Sequence, residues 1–326
     1  MNNTKKFNSC IIGVGDAGSR ITMDLTNKVN SDYVLLTNSA IKSKDSDKVI
    51  EVNIGNIINP SPEIIRKAFL DTGHDILRKI SEYKSIIIIG NLASKFGAAI
   101  LPILAQIIGM EKKIEIVCVV FLPFGFEKEK LFRCGVSLSL LSGYIENIIV
   151  IDNDAVLRNS EEIPLEEHYN SINQVVSDII IESLNKCFPP KFNLVTTSSN
   201  NIPKIKDAFI DTMASLSEKV NLSQVQKYSL YLYQSSEKIS IIKNVIESMN
   251  NLLPHAEQDI NLALNRSGRT RCHILVKTNH KVISLYDPLN HLIPKDNVLD
   301  FEPEIAMDEG VKLDKIRDLE STLAFR

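Results

Sequence analysis

The sequence predicts a doubly wound α/β domain with a mostly parallel sheet, then a long central helix, then a smaller α+β domain. Three observations predict it. Short, nearly continuous apolar runs alternate with helix-periodic segments through the first half of the chain. A glycine-rich turn, Gly13-Val14-Gly15-Asp16-Ala17-Gly18, follows the first of those runs. One uninterrupted helical pattern then stops at Pro189-Pro190, where proline cannot continue a helix and restricts the residue before it.

The apolar runs are Cys10 to Gly13, Tyr33 to Thr37, Ile86 to Gly90, Ile114 to Leu122 and Asn147 to Asp152. They are continuous rather than alternating, as strands covered on both faces require. Ahead of the third, Ser61-Pro62-Glu63 supplies a cap, a first-turn proline and a first-turn acid, all of which suit a helix start. Ile65, Phe69, Thr72, Ile76 and Ile80 then fall on one helical face. Pro164 to Cys187 carries Leu165, Tyr169, Ile172, Val176, Ile179, Leu184 and Cys187 along one side. Beyond the proline pair comes a second amphipathic helix with Ile205, Phe209, Met213, Leu216 and Val220 on one face. Strand-like segments Tyr228 to Gln234, Ile260 to Asn265 and Cys272 to Thr278 surround a helix from about Glu237 to Leu253. The expected organisation is therefore residues 1–163, a central helix over 164–188, an α+β domain with an open mixed sheet over 189–300, and a short acidic linker with an amphipathic tail over 301–326. The tail reads either as a helix docked on the second domain or as a partner-binding segment.

A chain of 326 residues is long enough for roughly two domains at about 150 residues each. Its 37 basic and 40 acidic residues give a formal net charge of -3, which excludes a global basic footprint for nucleic acid or an anionic membrane. Any anionic ligand must be held locally. Five scattered cysteines without a CxxC pair point to neither a disulfide framework nor a zinc site. The apolar runs are too short to span a bilayer, and Met1 to Phe7 lacks a signal peptide's apolar stretch. A cytoplasmic protein without direct membrane insertion is expected. The six histidines show no HExxH or equivalent ligand spacing. Ser94 is read as lacking the strand-turn setting of a nucleophile elbow. Arg266, Arg269 and Arg271 cluster in what reads as a loop between two strands, either a solvated hairpin tip or an anion site.

Gly13, Gly15 and Gly18, at the junction of a strand and a helix-like stretch, allow backbone to approach a phosphate while the helix start offers N–H groups and positive dipole. A tight turn without ligand is the other reading of the same glycines. A dinucleotide site needs an acid about twenty residues on, where this chain has Leu36-Thr37-Asn38-Ser39-Ala40. A nicotinamide or flavin cofactor is therefore not expected.

Taken with the other loops, residues 10–194 resemble the FtsZ/tubulin family, the GTP-binding, filament-forming proteins. Ile11-Ile12-Gly13-Val14-Gly15-Asp16-Ala17-Gly18 is similar to the family's first glycine loop, and Thr37-Asn38-Ser39 stands where the family has Asn-Thr-Asp. Asn59-Pro60-Ser61-Pro62-Glu63-Ile64-Ile65-Arg66-Lys67-Ala68 resembles the family's Asn-Pro-Glu-x-Gly-Arg-Lys-Ala. Most specific are Phe121-Leu122-Pro123-Phe124-Gly125-Phe126-Glu127 and Asn153-Asp154-Ala155-Val156-Leu157, beside the family's Pro-Phe-x-Phe-Glu and Asn-Asp-x-Leu. The resemblance implies a GTPase-type domain, with Glu127 contacting ribose and Asn173 on the central helix recognising guanine, a task that suits an amide's paired donor and acceptor. An exposed helical asparagine and a solvated loop charge are the plainer readings of those two residues.

The departures bear on activity. Where the family has Gly-Gly-Gly-Thr-Gly-Thr-Gly around phosphate, this chain has Gly90-Asn91-Leu92-Ala93-Ser94-Lys95-Phe96-Gly97-Ala98-Ala99. Only Gly97 and a Ser94-for-Thr exchange survive, and Lys95 reads either as a solvent-facing lysine or as a point charge available to a phosphate. Asp16 and Ser19 replace glycines, and Arg20 replaces an asparagine. Asp16 either binds magnesium or turns outward. The family's catalytic loop, Asn-x-Asp-x-x-Asp, is matched by Phe192 to Asn200, which has no carboxylate. Such groups contribute on the order of 10²- to 10⁴-fold in rate. The expectation is a cytoskeletal or division-related protein that holds GTP or GDP in a weakened site and meets itself or a homologous subunit head to tail, with little or no hydrolysis. The alternatives are an active polymer with rearranged catalytic groups and a non-nucleotide interaction module on the same fold.

Overall fold

The computed structural model describes residues 9–26, 28–29, 31–38, 46–110, 114–124, 126–151, 153, 165–185, 194–198, 202–234, 238–264 and 270–278. The expectations for the tail 301–326, for Arg266 and Arg269, and for residues 154–157 lie outside the described residues.

The backbone opens with β1 (Ser9–Val14), α1 (Gly15–Thr26), β2 (Asp32–Thr37) and β3 (Val49–Glu51). Next come α2 (Pro62–Ile80), β4 (Ser85–Asn91), α3 (Lys95–Gly109), β5 (Glu115–Phe121), α4 (Lys128–Tyr144) and β6 (Ile148–Ile151). The central helix α5 (Leu165–Asn185) leads to β7 (Leu194–Thr197), α6 (Ile205–Lys219), β8 (Val225–Gln234), α7 (Ile239–Leu252), β9 (Glu257–Leu264) and β10 (Arg271–Thr278). The strands form one sheet of ten in the order β3-β2-β1-β4-β5-β6-β7-β10-β8-β9. β3 through β7 pair in parallel, and β10 runs antiparallel to both of its neighbours.

Alternate residues of each central strand enter different cores. Cys10, Ile12, Ile86, Ile88, Cys118 and Val120 face α2, α3 and α4, whereas Ile11, Ile87, Ile89, Val117 and Val119 face α1 and α5. This is why the runs are continuous in sequence. Burying each such side chain contributes roughly 1.5–3 kcal/mol.

α2 forms as its sequence directs. Ser61 caps it, accepting from the Ile64 N–H, Pro62 stands in its first turn, and Ile65, Phe69, Ile76 and Ile80 are buried. In α3, Pro102 removes the donor that would reach the Ala98 carbonyl. The Ser137 hydroxyl of α4 donates to that oxygen instead at 3.1 Å. Among the described residues no helix is long and apolar enough to cross a membrane.

Three features differ from the sequence reading. β3 is only three residues long, too short for a pattern. The stretch 192–200, read as one loop, contains the strand β7, with Val195, Thr196 and Thr197 buried. Its Val150 and Ile151 partners on β6 join the two half-sheets into one. Arg271 is not at a hairpin tip: it begins β10 and is 3% exposed.

Arg271 and His273 share the face of β10 that carries Leu275 into the core beneath α5. The Asp178 carboxyl of α5 accepts from Gln174 Nε2 at 2.7 Å. Burial raises its pKa, against the opposing pull of that hydrogen bond and of the Arg271 and Lys28 charges. His273 Nδ1 shares a 2.8 Å hydrogen bond with Thr197 Oγ1, and its ring lies 5.0 Å from that of Tyr233.

Burial, then the Arg271 charge, lowers the His273 pKa from 6.5 to about 3. Between those values the unfolded chain holds the extra proton, so stability falls as pH drops from about 6.5 towards about 3, by up to about 1.4 kcal/mol per unit from this group. Urea midpoints at neutral and mildly acidic pH should therefore converge in His273→Gln relative to the parent. Identical pH dependence in the two proteins would contradict a neutral buried imidazole.

Candidate functional site

The parallel strands deliver their carboxyl ends to one edge, where ligands of open α/β sheets bind. Asn38 follows β2 and is exposed, Pro123 is buried in the β5–α4 connection, and Asn153 follows β6. The glycine stretch is not a free loop: Gly15, Asp16, Ala17 and Gly18 form the first turn of α1. Gly15 has φ 69°, a left-handed conformation that favours glycine.

Gly13, Gly18 and Gly97 are required by packing. A Cβ on Gly18 would lie 2.3 Å from the Ile89 carbonyl oxygen, and one on Gly97 would lie 2.1 Å from that of Asn91. On Gly13 it would meet Thr22 Oγ1 at 2.6 Å and the Gly18 carbonyl oxygen at 2.7 Å. The glycines thus let α1 and α3 start hard against the strand ends, whether or not a ligand follows. Asp16 and Arg20 are exposed on α1.

The segment standing for the family's phosphate loop bonds four of its own N–H groups internally. Ala93 N–H donates to Asn91 Oδ1 at 2.8 Å, and Gly97 N–H donates to Ser94 Oγ at 2.9 Å. The Ser94 hydroxyl donates to the Asn91 carbonyl at 2.9 Å. Ser94 and Ala98 N–H groups donate to Asn91 and Ser94 carbonyls. Ser94 is therefore the N-cap of α3, in a strand-turn-helix setting that the sequence reading did not give it, and its hydroxyl is occupied by backbone.

Beside this turn lies a pocket of about 410 Å³ at the ends of β4, β5 and β6. It gathers four sequence-predicted residues, Ser94, Lys95, Glu127 and Asn153. It adds Arg133 and Lys130 of α4, which sequence reasoning missed. The signal for them was their i, i+3 spacing in the first turns of a helix that starts at the pocket. Lys95 Nζ donates to Asn59 Oδ1 at 2.9 Å. Glu127 accepts from Phe124 N–H at 3.2 Å and pairs with Lys130. Asn153 is 5% exposed, and its Oδ1 has no hydrogen-bond partner among the described residues. Gly13, Gly15, Gly18, Arg20, Asn38 and Asn173 do not line this pocket; Asn173 is half-buried on α5, a helix that packs against α1.

No protein-family model matches the chain. Cell division protein FtsZ of Buchnera aphidicola subsp. Baizongia pistaciae (strain Bp) is 29% identical over 124 residues, which is 37% of this chain and 31% of that protein. A solved FtsZ dimer from M. jannaschii superposes with a TM-score of 0.67 at 17% identity, covering 84% of this chain and 89% of that one. The chain has the FtsZ/tubulin fold. A CetZ from Methanosaeta thermophila is also similar, with TM-score 0.64 and 17% identity over 97% of this chain and 99% of that one. So is TubZ of Clostridium botulinum phage c-st, at TM-score 0.56 and 11% identity over 88% and 99%. On this FtsZ-like frame, Gly13, Asn38, Ser94, Pro123 and Asn153 sit at or just after the ends of β1, β2, β4, β5 and β6.

Gly18→Ala should cost about 2–4 kcal/mol of unfolding free energy in urea titrations, because a methyl group must displace the Ile89 carbonyl. Ser94→Ala should cost about 1 kcal/mol through the lost cap. A Gly18→Ala protein of unchanged stability would show that this glycine is kept for something other than packing.

Proposed function

We propose that this FtsZ-like chain is a cytoskeletal or cell-division protein that holds GTP or GDP at the carboxyl edge of its sheet and assembles head to tail with little or no turnover. The pocket at that edge carries the reading: Lys95, Lys130 and Arg133 face Glu127 and Glu129 there, beside the orphaned Asn153 oxygen. A polyphosphate satisfies the surplus of cations, and a ribose hydroxyl or base N–H satisfies Asn153. The β1–α1 junction, with Gly13, Gly15, Asp16, Ala17, Gly18 and Arg20, lies at the same edge, and Asn173 is the candidate for reading guanine. Whether magnesium joins the phosphates rests on Asp16, whose exposure favours an outward carboxylate.

Side-chain charge replaces a backbone cradle in this reading. Four N–H groups around Ser94 are already bonded within the turn, so phosphate must be drawn by flexible, solvated cations that salt screens. Missing carboxylates over 192–200 leave water unpositioned, which accounts for slow turnover. The self-bonded turn also supports a second reading, a scaffold that uses the fold without nucleotide.

Fluorescent GTP binding by the purified protein should be weak and should weaken further with added salt. Lys95→Ala combined with Arg133→Ala should reduce affinity about tenfold or more, consistent with the loss of charge-assisted contacts. Phosphate release should run about 10²-fold or more below that of an FtsZ with its catalytic acids. Turnover at an ordinary FtsZ rate would refute slow hydrolysis, and no binding at millimolar GTP would favour the scaffold.

A further inference from the structure

Magnesium held with a nucleotide demands oxygen ligands in a near-octahedral array and is anchored through one or two carboxylates besides the phosphates. The pocket at the ends of β4, β5 and β6 offers little of that kind. Its lining includes Glu127 and Glu129, but both oxygens of Glu127 are already taken, Oε1 by the Lys130 ammonium and Oε2 by the Phe124 N–H. Glu129 is exposed in the first turn of α4. Asp16 is exposed on α1 and does not line the pocket. Among the described residues no group of three His, Cys, Asp or Glu could hold a metal ion. The donor set does not fit magnesium.

Cations stand there instead. Lys95 opens α3 at the turn that replaces the family's phosphate loop, and its ammonium is bonded to a neutral acceptor, Asn59 Oδ1, at 2.9 Å. Arg133 is half-buried in the second turn of α4, and no carboxylate pairs with it among the described residues. Lys130 is balanced by Glu127, so the charges left for a ligand are Lys95 and Arg133, from two helices that both start at the pocket. We propose that Lys95 and Arg133 take the place of the divalent cation, so that the site binds the metal-free form of a nucleoside di- or triphosphate. The inference rests on the nucleotide reading above and adds the ionic form of the ligand. An ammonium supplies a point charge to a phosphate oxygen and a guanidinium a two-pronged one, and a metal ion added beside them meets like charge at short range. Metal and protein therefore compete for the same phosphate oxygens.

The test uses the full chain and fluorescent GTP at fixed ionic strength, with magnesium chloride titrated against EDTA. In the parent, millimolar magnesium should weaken binding about threefold or more, and by reciprocity the protein should weaken the hold of GTP on the metal by the same factor. Excess protein should therefore release magnesium from Mg–GTP to an indicator dye. Lys95→Ala should abolish or reverse the magnesium effect, while circular dichroism and the urea midpoint stay at the parental values. Parental binding that is indifferent to magnesium or tightened by it would overturn the inference, as would an undiminished magnesium effect in Lys95→Ala. A parent chain that binds neither form at millimolar GTP would instead bring down the nucleotide reading itself.

Discussion

The position of α5 across the junction of the two half-sheets is the constraint on which the remainder depends. Ile172, Val175, Val176, Ile179 and Ile180 are buried in the same core as Ile11, Val119 and Ile151 on one side and Tyr231, Tyr233 and Leu275 on the other. Releasing that helix would expose apolar area on both halves at once. It would also uncover Asp178, Arg271 and His273, which low-dielectric surroundings hold in defined partnerships. Because α5 also carries Asn173 and packs on α1, its seat fixes the geometry of the edge where a ligand would lie.

That edge combines a preserved frame with a changed interior. Gly13, Gly15 and Gly18 are explained by a left-handed turn and by carbonyl contacts shorter than any Cβ tolerates. They therefore say more about how α1 meets β4 than about a phosphate. At the start of α3, by contrast, Asn91 and Ser94 supply acceptors to N–H groups that a glycine loop would leave for a ligand. Cationic side chains nearby supply attraction of another kind, longer in reach and lower in precision. In the proposed reading, a site of this construction would hold charge without arranging a water for attack.

Much of this was legible in the residues. Both-face burial produces unbroken apolar runs, so β1, β2, β4, β5 and β6 could be placed, and Ser61-Pro62 with the Ile65 and Phe69 stripe placed α2. The α3 turn was misjudged because hydrogen bonding of Asn91 and Ser94 to neighbouring backbone leaves no periodic mark. Arg133 was passed over because basic residues along a helix read as solvated ones until the helix start is located.

Sequence by itself determined the layer architecture, the long central helix and the absence of carboxylates over 192–200, since each follows from residue type and local spacing. Tertiary structure alone decided that β7 joins the half-sheets, that Arg271 and His273 are interior, and that Lys95, Arg133 and Asn153 share a pocket. Those facts depend on which segments become neighbours. Proximity among residues distant along the chain is set by packing of whole elements, which no local pattern encodes.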